Sequence, residues 1–179
     1  MFEVTDDARI VGYRPLIPPA ILMEELAKPA HEHPRNCYTV GLLRTIGMMA
    51  LERLAPAAAA IPPFGESGET ELGVWEQKYW GLTNPEAAEK ILLHWKLPHE
   101  TVLAIRHHCR PSGRHNPIIH LLKLAATAAA DRFSAIPGEE GYWRVTPENF
   151  AKAGLDLPGF QLACEKAQRK FEQLRVVIA

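Results

Sequence analysis

Long apolar runs, paired cysteines and an excess of charge of either sign are all missing from this chain of 179 residues. No apolar stretch reaches the roughly 18 residues that a membrane span requires, and the acidic opening MFEVTDDAR lacks the basic-then-apolar order of a signal peptide. Three cysteines, Cys37, Cys109 and Cys164, are odd in number, far apart and free of C-x-x-C spacing, which excludes a disulfide framework and a zinc knuckle and points to a reducing cytoplasm. Twenty basic residues face 21 acidic ones, a net charge of -1, so no global field draws the chain to nucleic acid or to an anionic membrane. Period-two alternation is absent as well, and with it the expectation of a sheet.

What is present is apolar spacing at i, i+3 and i+4 from end to end. With 47% hydrophobic residues the chain can bury a full core without metal or disulfide, and the expectation is one all-α domain over 1–179. Helices are expected at 19–28, opening on the IPPA prolines, and at 36–54, where Val40, Leu43, Ile46, Gly47, Met49 and Ala50 give a wide apolar face suited to a central position. The stretch APAAAAIPPFGESG then reads as a loop. Glu69 and Glu71 open a helix through VWEQKYW that stops at Gly81. TNPEAAEKILLHW combines Asn84 as N-cap, Pro85 at the first helical position and a Thr83–Glu86 capping box, with the helix running to Lys96. Further helices are expected from Pro98 through the Val102, Leu103 and Ile105 face to the HH pair, over 117–133, from Thr146-Pro147 to Ala153, and over 158–174. Trp75, Tyr79 and Trp80 recur at helical spacing and read as core, as do Trp95 and Trp143.

The chain order of GLLRTIGMMAL, GLTNPEAAEKILLHWKLP, VLAIRHHCRP and HLLKLAATAAADRF, with the closing TPENFAKAGLDLPGFQLACEKAQRKFEQL, resembles the HDOD family, the HD-related output domains of bacterial signalling proteins. The resemblance covers about residue 36 to the C-terminus and implies a compact multi-helix HD-like bundle. Members of the family usually carry further N-terminal helices, and this chain begins too late to contain them. A fragment, a separately made half and a shortened relative are all compatible with that, and an apolar face left bare by their loss implies a homodimer that hides it.

The catalytic HD hydrolases, more distant relatives, hold a metal through a His-Asp pair and further His and Asp ligands. Here the pair of the GLLHDIG pattern is replaced by Arg44 and Thr45, a histidine before the W-x-LP helix by Asn84, and the later aspartate by Ala126. Guanidinium and methyl groups donate no lone pair to a metal. Arg44 stays charged at physiological pH and, if turned inward, needs a buried partner, with Glu86 or Glu89 implied by the family layout; the alternative is that it reaches solvent.

Outside those positions, His107 and His108 are adjacent and point about 100° apart on a helix, so a capping role in the last turn is favoured over a ligand role. RHHCRPSGRH gathers Arg106, Arg110 and Arg114 as the one basic patch. Arg44, His107, His108 and Arg110 are the candidate contacts for an anion. His31 and His33 resemble a metal tract only weakly, and Cys37 and Cys109 have no base that sequence identifies. The reading is therefore a non-catalytic regulatory module that binds protein partners, with no cofactor and no metal. The rivals are a metal-dependent phosphohydrolase with displaced ligands drawn from His94, His107, His108, His120 and Asp131, and a sensor of an anionic small ligand.

Overall fold

The computed structural model describes residues 17–54, 61–110, 116–133, 135–142 and 144–178, and the side chains of these up to residue 174. The described residues form α-helices and short 3-10 turns with no strand. The helices are α1 (Ile17–Ala27), α2 (Pro34–Leu43), α3 (Ile46–Leu54), α4 (Leu72–Trp80), α5 (Asn84–His94), α6 (His99–His107), α7 (Pro117–Arg132), α8 (Pro147–Lys152) and α9 (Leu157–Ile178).

The centre is α7 with α1, each buried around most of its circumference. A helix apolar on all sides must be covered on all sides, and α1, α6 and α8 pack on α7, while α2 and α9 pack on α1. Their side chains form the main apolar cluster, which includes Leu22, Leu26, Leu92, Ile105, Ile119 and Leu122. A second, smaller cluster gathers Met48, Ile61, Leu72, Trp75 and Ile136, with Phe64, Tyr79 and Trp80 against it. Trp75 is fully buried and meets Phe64, Tyr79 and Trp80 edge to face, as expected of core aromatics. Glu25, buried on α1, pairs with Lys28 and with Lys170 of α9, tying the last helix to the first.

The helix expected over 36–54 is two helices. It breaks at Arg44-Thr45, and glycines on either side give the reason. A Cβ at Gly41 would lie 2.7 Å from Ala20 Cα on α1, and one at Gly47 would lie 1.9 Å from the Asn84 carbonyl oxygen on α5. Each half is pressed backbone to backbone on a different helix, so the axis turns between them. Within this stretch Leu43 and Ile46 pack on the main cluster and Met48 on the smaller one. The changeover from one cluster to the other thus falls in the first turn of α3, just after the break. The stretch is not the centre of the bundle, since Met49 and Ala50 are only half-buried.

Other boundaries follow their local chemistry. Gly81 takes a left-handed φ of 71° and its N–H donates to the Gln77 carbonyl at 3.0 Å, closing α4. The capping box of α5 forms between Thr83 and Glu86, but Thr83 and not Asn84 is the N-cap. Asn84 is already helical and its side chain is drawn to Glu76. Asn116 caps α7 by accepting from Ile118 N–H at 2.9 Å. Trp95, expected in the core, is 51% exposed because it follows the last turn of α5. The expected turns at 55–60 and 111–115 and Trp143 lie outside the described residues.

Candidate functional site

Arg44, at the break between α2 and α3, is 4% exposed, so the alternative in which it reaches solvent does not hold. Its Nη2 donates to Glu139 Oε2 in a buried ion pair, and its Nε donates to His108 Nε2 at 3.2 Å. The expected partners Glu86 and Glu89 are engaged elsewhere, at 3.0 and 3.1 Å from the guanidinium of Arg106 on α6. Arg44 instead meets a carboxylate from the loop after α7.

His108 closes α6. Its Nδ1 lies 2.9 Å from the Ile105 carbonyl oxygen, and a carbonyl only accepts, so Nδ1 carries the proton and Nε2 presents the lone pair. Arg44 takes that lone pair. Burial, with the Arg44 charge next, holds His108 neutral by depressing its pKa to about 3. The favoured capping role is thereby seen in the Nδ1 bond. Burial pushes the Glu139 carboxyl up, while the charge and hydrogen bond of Arg44 pull it down.

A second buried acid, Glu76 on α4, is wholly inaccessible. It accepts from the Asn84 backbone N–H at 2.7 Å and from Asn84 Nδ2 at 3.0 Å. Burial dominates over these bonds and raises its pKa to about 8, with Glu139 and Glu86 adding repulsion. Lys123 on α7, also buried, donates to the Tyr142 carbonyl at 2.8 Å; burial lowers its pKa. The Tyr142 hydroxyl accepts from Gly73 N–H at 3.2 Å. Ala126 lies buried one turn beyond Lys123. Thr45 Oγ1 is buried with no hydrogen-bond partner among the described residues.

In front of this network is a cleft of about 580 Å³, walled by α4, the start of α5 and the end of α6. The anion candidates divide between the two places. His107 and Arg110 line the cleft, whereas Arg44 and His108 stand behind it and line none of it. Arg110 pairs with Glu71 at 3.0 Å and lies over the Tyr142 ring, 5.6 Å from its centre, and Arg106 is held by Glu86 and Glu89, so the basic patch already carries its own carboxylates. Arg114 and His115 lie outside the described residues. Cys109 Sγ is 3.4 Å from His108 Nε2, but burial drives its thiol pKa well up, and the imidazole lone pair is occupied. Burial likewise pushes the Cys37 thiol up to about 12. His120 is buried with Asn149 Nδ2 at 3.4 Å, and His94 and Asp131 are exposed; the pool of displaced ligands does not converge.

These side chains do not fit a divalent ion. Among the described residues no group of three or more His, Cys, Asp and Glu is placed to hold one. His108 has its Nδ1 on the Ile105 carbonyl and its Nε2 on the Arg44 guanidinium, and the fixed positive charge beside it opposes a second cation.

Glu76, Lys123 and Glu139 are the residues that sequence reasoning missed. Glu76 follows Leu72 by one helical turn and so falls on its buried side, and Lys123 interrupts a helix otherwise apolar all round; both were open to detection by periodicity. Glu139 sits in the irregular PGEE segment and carries no such signature.

The chain belongs to the HDOD family: the HDOD domain matches residues 17–111, more than half of its length. Among solved structures it is similar to a candidate signal transduction protein from Marinobacter aquaeolei VT8 (TM-score 0.74, 20% identity, 98% of this chain and 41% of that one). It is also similar to a candidate phosphohydrolase from Shewanella amazonensis SB2B (0.67, 24%, 89% and 61%) and to the MmoQ response regulator from Methylococcus capsulatus str. Bath (0.56, 18%, 90% and 62%). At these identities the likeness is one of fold, and the chain spans less than two thirds of each of the three. No curated protein matches the sequence. No helix among the described residues is long and apolar enough to cross a membrane.

Proposed function

We propose that this chain is a regulatory module of a bacterial signalling protein, cytoplasmic and without metal-dependent catalysis, which acts by binding protein partners. The observation that carries the reading is the Arg44 guanidinium, bonded to His108 Nε2 and paired with Glu139 inside the bundle. It supplies positive charge to the site permanently and consumes the imidazole lone pair a metal would need. Membership of the HDOD family and the fold shared with a candidate signal transduction protein and a response regulator support the signalling context.

The test is elemental analysis of the purified protein together with hydrolysis of a generic phosphodiester in added manganese. Both are expected to read zero. Stoichiometric metal, or hydrolysis abolished by changing His108, would overturn the reading in favour of a phosphohydrolase.

The cleft supports a second reading, a sensor of an anionic small ligand, because its volume of about 580 Å³ lies in the range of small-molecule sites and Arg106, His107 and Arg110 face it. Such a ligand must displace Glu71 and Glu86 from the arginines. A thermal-shift screen of nucleotides is expected to show no stabilisation under the first reading and a clear one under the second.

A further inference from the structure

Beside the face of α5 that carries the Arg106 ion pairs, α3 and α5 leave two adjoining apolar grooves of about 370 and 530 Å³ that share Ala50, Lys90 and Ile91. Leu54, 73% exposed, and Trp95 stand at their edges, and Met49 and Trp80 form walls. Burying large aromatic and aliphatic groups in a concave site is what carries energy at interfaces.

The floor is rigid. Gly47 sits against the Asn84 carbonyl so closely that no side chain fits between α3 and α5, and Trp80 Nε1 is fixed by donating to the Leu51 carbonyl at 2.8 Å. A groove formed in advance spares its occupant the cost of opening it. The nine residues of α3 and 11 of α5 give walls of about 14 and 16 Å at 1.5 Å per residue, the length of about three turns of a helix laid between them.

Charge selects the occupant. Among the described residues, Lys90 and His94, one turn apart on α5, are the basic ones lining the grooves, and no acidic side chain lines either one. The acids of the same helix, Glu86 and Glu89, are turned to Arg106. We propose that the α3–α5 groove docks an amphipathic helix of a partner protein, with apolar residues at i, i+3 or i+4 and i+7 in the groove and carboxylates along the flank that meets Lys90 and His94. This rests on the reading that the domain works through protein partners, and it names the face and the kind of partner.

A phage-displayed library of helical peptides, selected against the full chain, tests it. The expected enrichment is for that apolar spacing with Asp or Glu on one flank. The best peptide should bind at least tenfold more weakly to Leu54→Asp and to Trp95→Ala, both exposed positions whose replacement leaves the core intact. Lys90→Glu should weaken the acidic peptide several-fold and strengthen its Lys-substituted version. No enrichment, enrichment without the acidic flank, or binding indifferent to all three substitutions overturns the proposal. So does binding of this face to phosphatidylglycerol vesicles, or a dimer in sedimentation that Leu54→Asp dissolves, since lipid or a second copy would then be the occupant. A peptide selected onto another face sinks the groove and leaves partner binding standing; phosphodiester hydrolysis sinks the non-catalytic reading whatever the peptides do.

Discussion

Replacing Arg44 with Met keeps most of the side-chain stem and removes the charge. The loss falls on Glu139, which is 1% exposed and whose ion-pair partner is that guanidinium. Breaking a buried pair from one side costs about 3–5 kcal/mol, against about 0–1 kcal/mol for a surface pair. For a chain of this size that corresponds to a fall in Tm of roughly 6–20 °C. The cost depends on pH with a defined sign. Without Arg44 the two influences that lower the Glu139 pKa vanish, and burial and the neighbouring Glu140 charge remain, raising it further above the unfolded value of about 4.3. A carboxyl whose folded pKa is raised contributes stability that is complete below the unfolded pKa and lost as pH rises through the folded one. The deficit of Arg44→Met relative to wild type therefore widens as pH rises above the ordinary carboxyl range. Adding Glu139→Gln should recover most of it, because the stranded charge is gone. Urea unfolding followed by tryptophan fluorescence, on both single variants and the double, measures all of this. A single-variant cost under about 1 kcal/mol, or strict additivity in the cycle, would refute the account of Arg44 as a buried, paired cation.

Glu76, with its pKa raised to about 8, makes the folded protein less stable as pH climbs from about 4.3 through 8; Glu76→Gln, which keeps an oxygen for Asn84, should flatten that window and gain on wild type at pH 8 to 9 in urea titrations. His108 acts in the other direction. Its depression to about 3 means stability is present above the unfolded value of about 6.5 and is lost as pH falls towards 3, so His108→Gln should reduce the acid sensitivity of the unfolding midpoint over that range. Gly47→Ala, whose Cβ would fall 1.9 Å from the Asn84 oxygen, should cost at least about 1–3 kcal/mol, whereas Gly65→Ala, with nothing within 4 Å, should change stability by under about 0.5 kcal/mol; equal effects in calorimetry would refute the close approach of α3 and α5.

Much of the architecture could be read from the chain because its punctuation is local. Gly81, the Thr83–Glu86 box, Asn116-Pro117 and Thr146-Pro147 each stop or start a helix through bonds within a few residues, and the apolar period carries the rest. What escaped depended on distant partners. The break at Arg44-Thr45 comes from Gly41 and Gly47 meeting different helices, which no window of sequence displays. Asn84 reads as a cap until Glu76, eight residues earlier, claims its amide. Trp95 counts as core on composition and is exposed because the helix ends before it. At the site, the need of a buried Arg44 for a carboxylate could be argued from the chain, but the identity of that partner could not, since Glu139 is 95 residues away and sits in a segment without periodicity.

The pairing of Arg44 with Glu139 also constrains how the sequence can change. Each member stabilises a charge that would otherwise be stranded in the interior, so neither position can be exchanged alone without penalty. Replacing Arg44 by an uncharged residue leaves the Glu139 carboxylate without its buried partner unless position 139 is neutralised as well. Two positions 95 residues apart are thereby coupled, so the tolerance of either to substitution depends on what stands at the other.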